Sequence, residues 1–238
     1  MAHNYNPARR LFELLTSAVA MNSNQTTQVW DATLAAEGSP TVLLQRFVAL
    51  DRLYRETVAA LEKVEGLDRD LYVGQIGGVE NILQISTLLR SWEDVKKGLS
   101  PTTMLALRFC ASYLDEKVGE AELERAQLDD LRRELEELVT SLLESGIDAR
   151  LKELLVTLAS EMRTAILEYR ISGAAALEKA LEIGVGAFVL NRNLIQEHTD
   201  LPEVNRFGMI LERMKGLLDV AQTARQLAEP IIKMLMGG

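Results

Sequence analysis

Three observations predict an all-α fold, a multi-helix bundle carrying one long antiparallel helical hairpin. A capping residue stands directly before a proline three times, at Asn6-Pro7, Ser39-Pro40 and Ser100-Pro101. That pairing suits a first helical turn, where the amide that proline lacks would have no intrahelical partner. Leu128, Leu131, Leu135, Leu138 and Leu142 recur at three-four spacing, and Leu151, Leu155, Leu158, Met162, Ala165 and Tyr169 repeat it after a polar turn, as two helices packed along coiled-coil-like seams require. No stretch alternates apolar and polar residues long enough to make a strand. The 238 residues then divide into about eight to ten helices.

The elements follow in order. Two short helices, about 7–21 and 25–36, are joined by the polar Asn22, Ser23 and Asn24. From Pro40 a long helix carries Leu43, Phe47, Leu50, Tyr54, Thr57, Leu61 and Val64 as one core-facing seam. Gly38, Gly66, Gly98 and Gly146 stand where helices should stop. After Gly66 an irregular segment holding Tyr72, Gly74, Gly77 and Gly78 is expected, then a helix to about Lys97. The helix from Pro101 has Met104, Leu105, Leu107, Phe109 and Cys110 on several sides, so it is expected to be the most buried. The hairpin occupies about 115–171, with Gly146 supplying a left-handed stop and Asp148 capping the return helix. A final helix is expected over about 203–236. These elements group as an N-terminal helical subdomain, 1–98, and a C-terminal bundle, 99–238, which could share one continuous core.

Composition narrows the function classes. One cysteine, Cys110, excludes an internal disulfide framework and an all-cysteine zinc site, and two histidines leave little for a metal centre. No metal or cofactor is therefore expected. Cys110 sits among Leu107, Phe109 and Tyr113 with no local histidine, which reads as a buried structural thiol. The glycines at 74, 77 and 78 have no following Lys-Ser or Lys-Thr, so the phosphate loop of an NTPase is absent, and no Glu-x-x-His pair offers di-iron ligands. A net charge of −9 argues against a general nucleic-acid coat. The N-terminal residues lack a secretory pattern, and the best membrane candidate, 171–191, is broken by Glu178, Lys179 and Glu182. The polar face of the final helix is nearly charge-balanced, unlike a basic membrane-surface helix. The expected location is cytoplasmic.

Three faces stand out as surfaces. The segment 115–144 carries 11 acidic and four basic residues, most of the chain's negative charge, and reads either as a docking face for a basic partner or as a solvated face laced with ion pairs, which is the commoner case. Ala176, Ala180 and Gly184 form a small-residue stripe that lets a helix approach closely, inside the chain or between copies. Met209, Met214, Met234 and Met236 give the final helix an adaptable apolar surface. Trp30 and Trp92 suit core anchoring, with Trp30, on a short helix, the better interface candidate.

Arg192-Asn193-Leu194-Ile195-Gln196-Glu197-His198 combines a phosphate-gripping cation with a residue that exchanges protons near neutral pH. The run resembles the Arg-Asn-x-x-x-x-His motif of HEPN ribonucleases, compact helical proteins that often dimerise. That resemblance implies metal-independent RNA cleavage, with Arg192 stabilising phosphate charge, His198 acting as acid or base and Asn193 orienting the site. Residues six apart lie about 120° from each other on an ideal helix, so convergence requires a helix end or a distortion. Asp200 and Pro202 provide one. Leu167-Glu168-Tyr169-Arg170-Ile171-Ser172-Gly173-Ala174 with Leu177, together with Val29-Trp30 and Leu34, resembles a family of uncharacterised bacterial helical proteins of similar length. That likeness spans most of the chain and brings no activity; it implies a cytosolic accessory component of a larger system, such as a defence or mobile-element locus.

The reading these features favour is a non-enzymatic protein-interaction or assembly subunit, self-associating or binding another protein through helix faces. An RNase using Arg192, Asn193 and His198 is the alternative.

Overall fold

The structure is a computed structural model that describes residues 5–64, 69–115 and 123–218. The chain is all-α, with no strand among the described residues, only an isolated antiparallel bridge between Gln25 and Ser91. By its contacts it divides into two compact units, Met1–Glu122 with Arg170–Gly173, and Leu123–Tyr169 with Ala174–Gly238. The expected break after Gly98 is thereby corrected. The helix that follows it is tied to the first helix by bonds spanning more than a hundred residues, and so belongs to the N-terminal unit.

That unit begins with α1 (Pro7–Ala20), α2 (Thr26–Leu34) and α3 (Pro40–Glu62). Two caps read from sequence are formed here. Asn6 Oδ1 accepts from the Arg9 amide at 3.0 Å and Ser39 Oγ from Val42 at 3.4 Å. The C-terminal carbonyls of α2 are met from α3, where the buried Arg46 donates to Leu34 at 2.9 Å and to Ala35. A guanidinium at that helix end also suits the dipole. The α3 seam faces the core as expected, with Leu43, Phe47, Leu50, Tyr54, Thr57 and Leu61 all buried and Val64 half-buried.

The next stretch departs from expectation. Where the irregular segment was expected lie α4 (Arg69–Ile76) and α5 (Gly78–Ile82), and the expected long helix is instead a 3-10 segment at Ile85–Leu89, the single turn α6 (Trp92–Val95) and a further 3-10 turn to Gly98. The break after Ile82 is built by Thr87, whose hydroxyl lies 2.8 Å from the Ile82 carbonyl and 2.6 Å from that of Gln84. A hydroxyl that competes for backbone acceptors in this way breaks a continuous ladder.

α7 (Pro101–Asp115), capped as expected by Ser100 Oγ accepting from Thr103 at 3.1 Å, packs along α1. Asn6 Nδ2 donates to the Ala111 carbonyl at 2.9 Å and to Asp115 at 2.7 Å, and Arg9 pairs with Asp115. The expectation that this helix is the most buried is only half right. Leu107, Cys110, Ala111 and Leu114 are buried, while Leu105 and Phe109 are 53% and 56% exposed. Burial pushes the Cys110 thiol up to about 11, so about one part in a thousand is thiolate at pH 8. Alkylation of the folded chain by iodoacetamide at pH 8 is accordingly expected to be negligible, and complete after denaturation. Fast labelling of the folded chain would contradict the buried position.

The second unit is the hairpin and its partners. α8 (Arg125–Glu144) and α9 (Ala149–Ser172) run antiparallel, because Leu123 N donates to Tyr169 Oη at 2.9 Å, Glu136 meets Arg163 at 3.8 Å and Lys152 Nζ donates to Ser145 O at 2.7 Å. Every leucine of the α8 seam, and every residue from Leu151 to Tyr169 in the matching seam, is buried. Asp148 caps α9 as expected, its Oδ1 accepting from Arg150 and Leu151. Gly146 does not adopt the left-handed stop; α8 ends on an extended Ser145, and left-handed glycines stand instead at Gly38, φ 76°, before α3, and at Gly173, φ 64°, between α9 and α10 (Ala174–Leu190). Short α11 (Arg192–Gln196) and α12 (Pro202–Leu217) follow. The remainder of the expected final helix, with Met234 and Met236, lies outside the described residues.

Candidate functional site

The sequence-derived candidates fare unequally. Trp30 is fully buried, its ring edge-on to Phe47 and Trp92 at centroid distances of 5.6 Å, so it is a core anchor and not an interface residue. The Ala176, Ala180 and Gly184 stripe is used within the chain. Ala180 and Gly184 are buried, Ala176 is half-buried, and a Cβ built on Gly184 would lie 2.7 Å from Met162 Cε and 3.3 Å from Leu211 Cδ2. Met214 is buried as well, which leaves Met209, 52% exposed, as the one surface methionine among these candidates in the described residues.

The acidic face of α8 is largely neutralised by arginines. Glu137 meets Arg206 at 2.5 Å, Glu134 meets Arg213, Asp130 meets Arg133 and Arg213, and Glu136 meets Arg132 and Arg163 at 3.8 Å. Three of these pairs, Glu137–Arg206, Glu134–Arg213 and Asp130–Arg213, join α8 to α12 across a groove that Met209 and Ile210 help to line. Exposed pairs contribute little to stability, from nothing to about 1 kcal/mol each, but they occupy the charges a basic partner would need.

Arg192 and Asn193 begin α11 and are exposed; His198 follows its end and is half-buried. Arg192 and His198 thus stand at opposite ends of this short helix. His198 Nδ1 lies 2.8 Å from the Leu194 carbonyl. Because a carbonyl only accepts, Nδ1 carries the hydrogen in this contact, which leaves Nε2 as the ring acceptor when the imidazole is neutral.

The surface that sequence reasoning missed is a pocket of about 240 Å³ in the N-terminal unit, between the outer face of α3 and the turn joining α5 to the 3-10 segment. Phe47 and Leu83, both buried, line it with Val48 and Ile85, which are 47% and 60% exposed. Leu44, one turn before Val48 on the same helix face, is also exposed, and Leu89 closes the 3-10 segment at 92% exposure. The polar lining is Asp51, Arg55, Glu80 and Gln84. Asp51 accepts from Arg55 Nε at 2.9 Å, the bond that chiefly holds the Arg55 guanidinium above its ordinary pKa. Burial, and then the Glu80 carboxylate, raises the Tyr54 phenol.

Among the described residues no group of histidine, cysteine and carboxylate side chains could hold a metal ion, and no helix is long and apolar enough to cross a membrane. No protein-family model matches the chain, and no curated protein and no solved structure matches it.

Proposed function

We propose that the chain is a non-enzymatic helical interaction subunit that seats a partner protein on its N-terminal unit. The observation that carries this reading is the pocket walled by Phe47 and Leu83 and rimmed by Val48 and Ile85. Single exposed apolar side chains are common on soluble proteins, but several gathered around a concavity with buried apolar walls have the form of an interface anchor site. Unlike the Arg-Glu pairs across the α8 and α12 groove, the only ion pair at this pocket among the described residues is the local one between Asp51 and Arg55 on a single helix. The lone free cysteine fits the cytosolic bacterial setting we assign the protein, and self-association is part of the same reading, with a second copy as one form of partner.

Val48→Glu is expected to abolish partner recovery while the chain remains folded, because Val48 is a half-exposed helical side chain whose replacement creates no cavity. Affinity is expected to fall about thirtyfold, the cost of losing an anchor contact of about 2 kcal/mol. Isothermal titration against the recovered partner, with circular dichroism of the variant, checks both halves. Undiminished affinity in a folded Val48→Glu chain would refute the reading.

A second reading is a metal-independent endoribonuclease built on Arg192, Asn193 and His198. It is supported by the Leu194 carbonyl, whose contact with Nδ1 leaves Nε2 available to exchange a proton. This reading requires RNA cleavage in the presence of chelator, lost in Arg192→Ala and in His198→Ala. Absence of cleavage by the folded protein discards it.

A further inference from the structure

We infer that the pocket between α3 and the 3-10 segment is the seat of a basic amphipathic helix from a partner protein, with one apolar side chain entering beside Phe47 and Leu83 and lysine or arginine on the flanking turns facing Glu80 and Asp51. The inference rests on the interaction reading above and adds the chemistry of the partner.

Size comes first. At about 240 Å³ the pocket falls below the usual range for cofactor and metabolite sites, about 300–1,000 Å³. It suits the end of a large side chain whose remaining contacts are made outside. Those contacts have somewhere to go, since Leu44 and Val48 continue the apolar lip along α3, and Ile85 supplies the opposite side. An amphipathic helix, with anchors at positions i and i+4 or i+7, matches a lip of this kind. A partner strand would need a free sheet edge to extend, and the described residues contain no strand.

Charge then selects among helices. The lining holds two carboxylates against one guanidinium, and that guanidinium is bound to one of the two, Asp51. Glu80 is exposed and has no ion pair among the described residues. The negative sign is also felt by its neighbours. Glu80 raises both the Tyr54 phenol, after burial, and the Arg55 guanidinium, after Asp51. The Glu80 carboxylate on this rim favours a cationic over an anionic side chain beside it in the complex.

Selection of a displayed library of random peptides, about 15 residues or four helical turns long, on the immobilised full chain tests this directly. Enriched peptides are expected to pair apolar residues at helical spacing with lysine or arginine. Affinity for the chain is expected to fall about thirtyfold in Val48→Glu and about fivefold in Glu80→Lys, and added salt should erode only the second difference. Thermal melting of both variants establishes that they are folded. Enriched peptides that lack basic residues and ignore Glu80→Lys, yet fail on Val48→Glu, would overturn the charge assignment and leave the interaction reading standing. Enrichment that survives Val48→Glu and Ile85→Glu, or no enrichment at all, would overturn the inference, and survival in both variants would count against the pocket as an interface of any kind.

Discussion

Trp30→Ala is expected to destabilise the N-terminal unit by about 4 kcal/mol, in the range observed for tryptophan and phenylalanine truncations in cores. The indole is fully buried and makes edge contacts with two rings, Phe47 from α3 and Trp92 from α6. Its loss therefore opens a cavity where three helices meet, and Phe47 is also a wall of the proposed partner pocket. Two-state denaturant unfolding, read by far-ultraviolet circular dichroism, measures the change. An interface tryptophan would behave in the opposite way, with melting unchanged and assembly lost. A Trp30→Ala chain within about 1 kcal/mol of the parent would contradict the buried position.

Gly184→Leu is expected to cost the second unit about 3 kcal/mol, the upper part of the range for overpacking. The sign depends on how much is added. In Gly184→Ala the new methyl meets Met162 Cε, the movable end of a flexible side chain, and alanine's better helix propensity, about 1 kcal/mol, offsets the displacement. Leucine adds atoms that must enter the space between α9 and α12, where Met162 and Leu211 are already buried. Gly184→Ala is thus expected to melt close to the parent and Gly184→Leu well below it. If leucine left stability unchanged and altered only self-association, the small-residue stripe would be an intersubunit surface after all.

What was legible in the sequence was whatever depends on neighbours in the chain. The Asn6, Ser39, Ser100 and Asp148 caps bond within three residues, and each is formed. The two leucine seams depend on helical periodicity alone, and both are buried throughout. Periodicity does not say which of several apolar faces finds a partner. On α7 the sequence offers Leu105 and Phe109 as readily as Leu107 and Cys110, and the helices that pack on it, α1, held by Asn6 across a hundred residues, and α4, decide between them. The same long-range bond moves α7 into the N-terminal unit, although Gly98 marks a turn correctly. The pocket was invisible for a related reason. Phe47 to Arg55 and Glu80 to Ile85 become one surface only because a break after Ile82 turns the chain, and that break rests on the Thr87 hydroxyl, whose preference for backbone acceptors over continued helix no hydrophobic pattern reveals. Trp30 illustrates the converse, since a large aromatic on a short helix is equally apt as anchor or core until its neighbours are known.

Quantitative recovery of partners from the native host decides whether the protein works through the apolar rim of its N-terminal unit. Tagged parent, Val48→Glu, Ile85→Glu and His198→Ala chains would be compared, each first verified as folded by its melting curve. A stoichiometric partner, another protein or an untagged second copy, is expected to accompany the parent and His198→Ala and to be lost from both pocket variants. A partner retained equally by the pocket variants, or the absence of any stoichiometric partner from the parent, would contradict it.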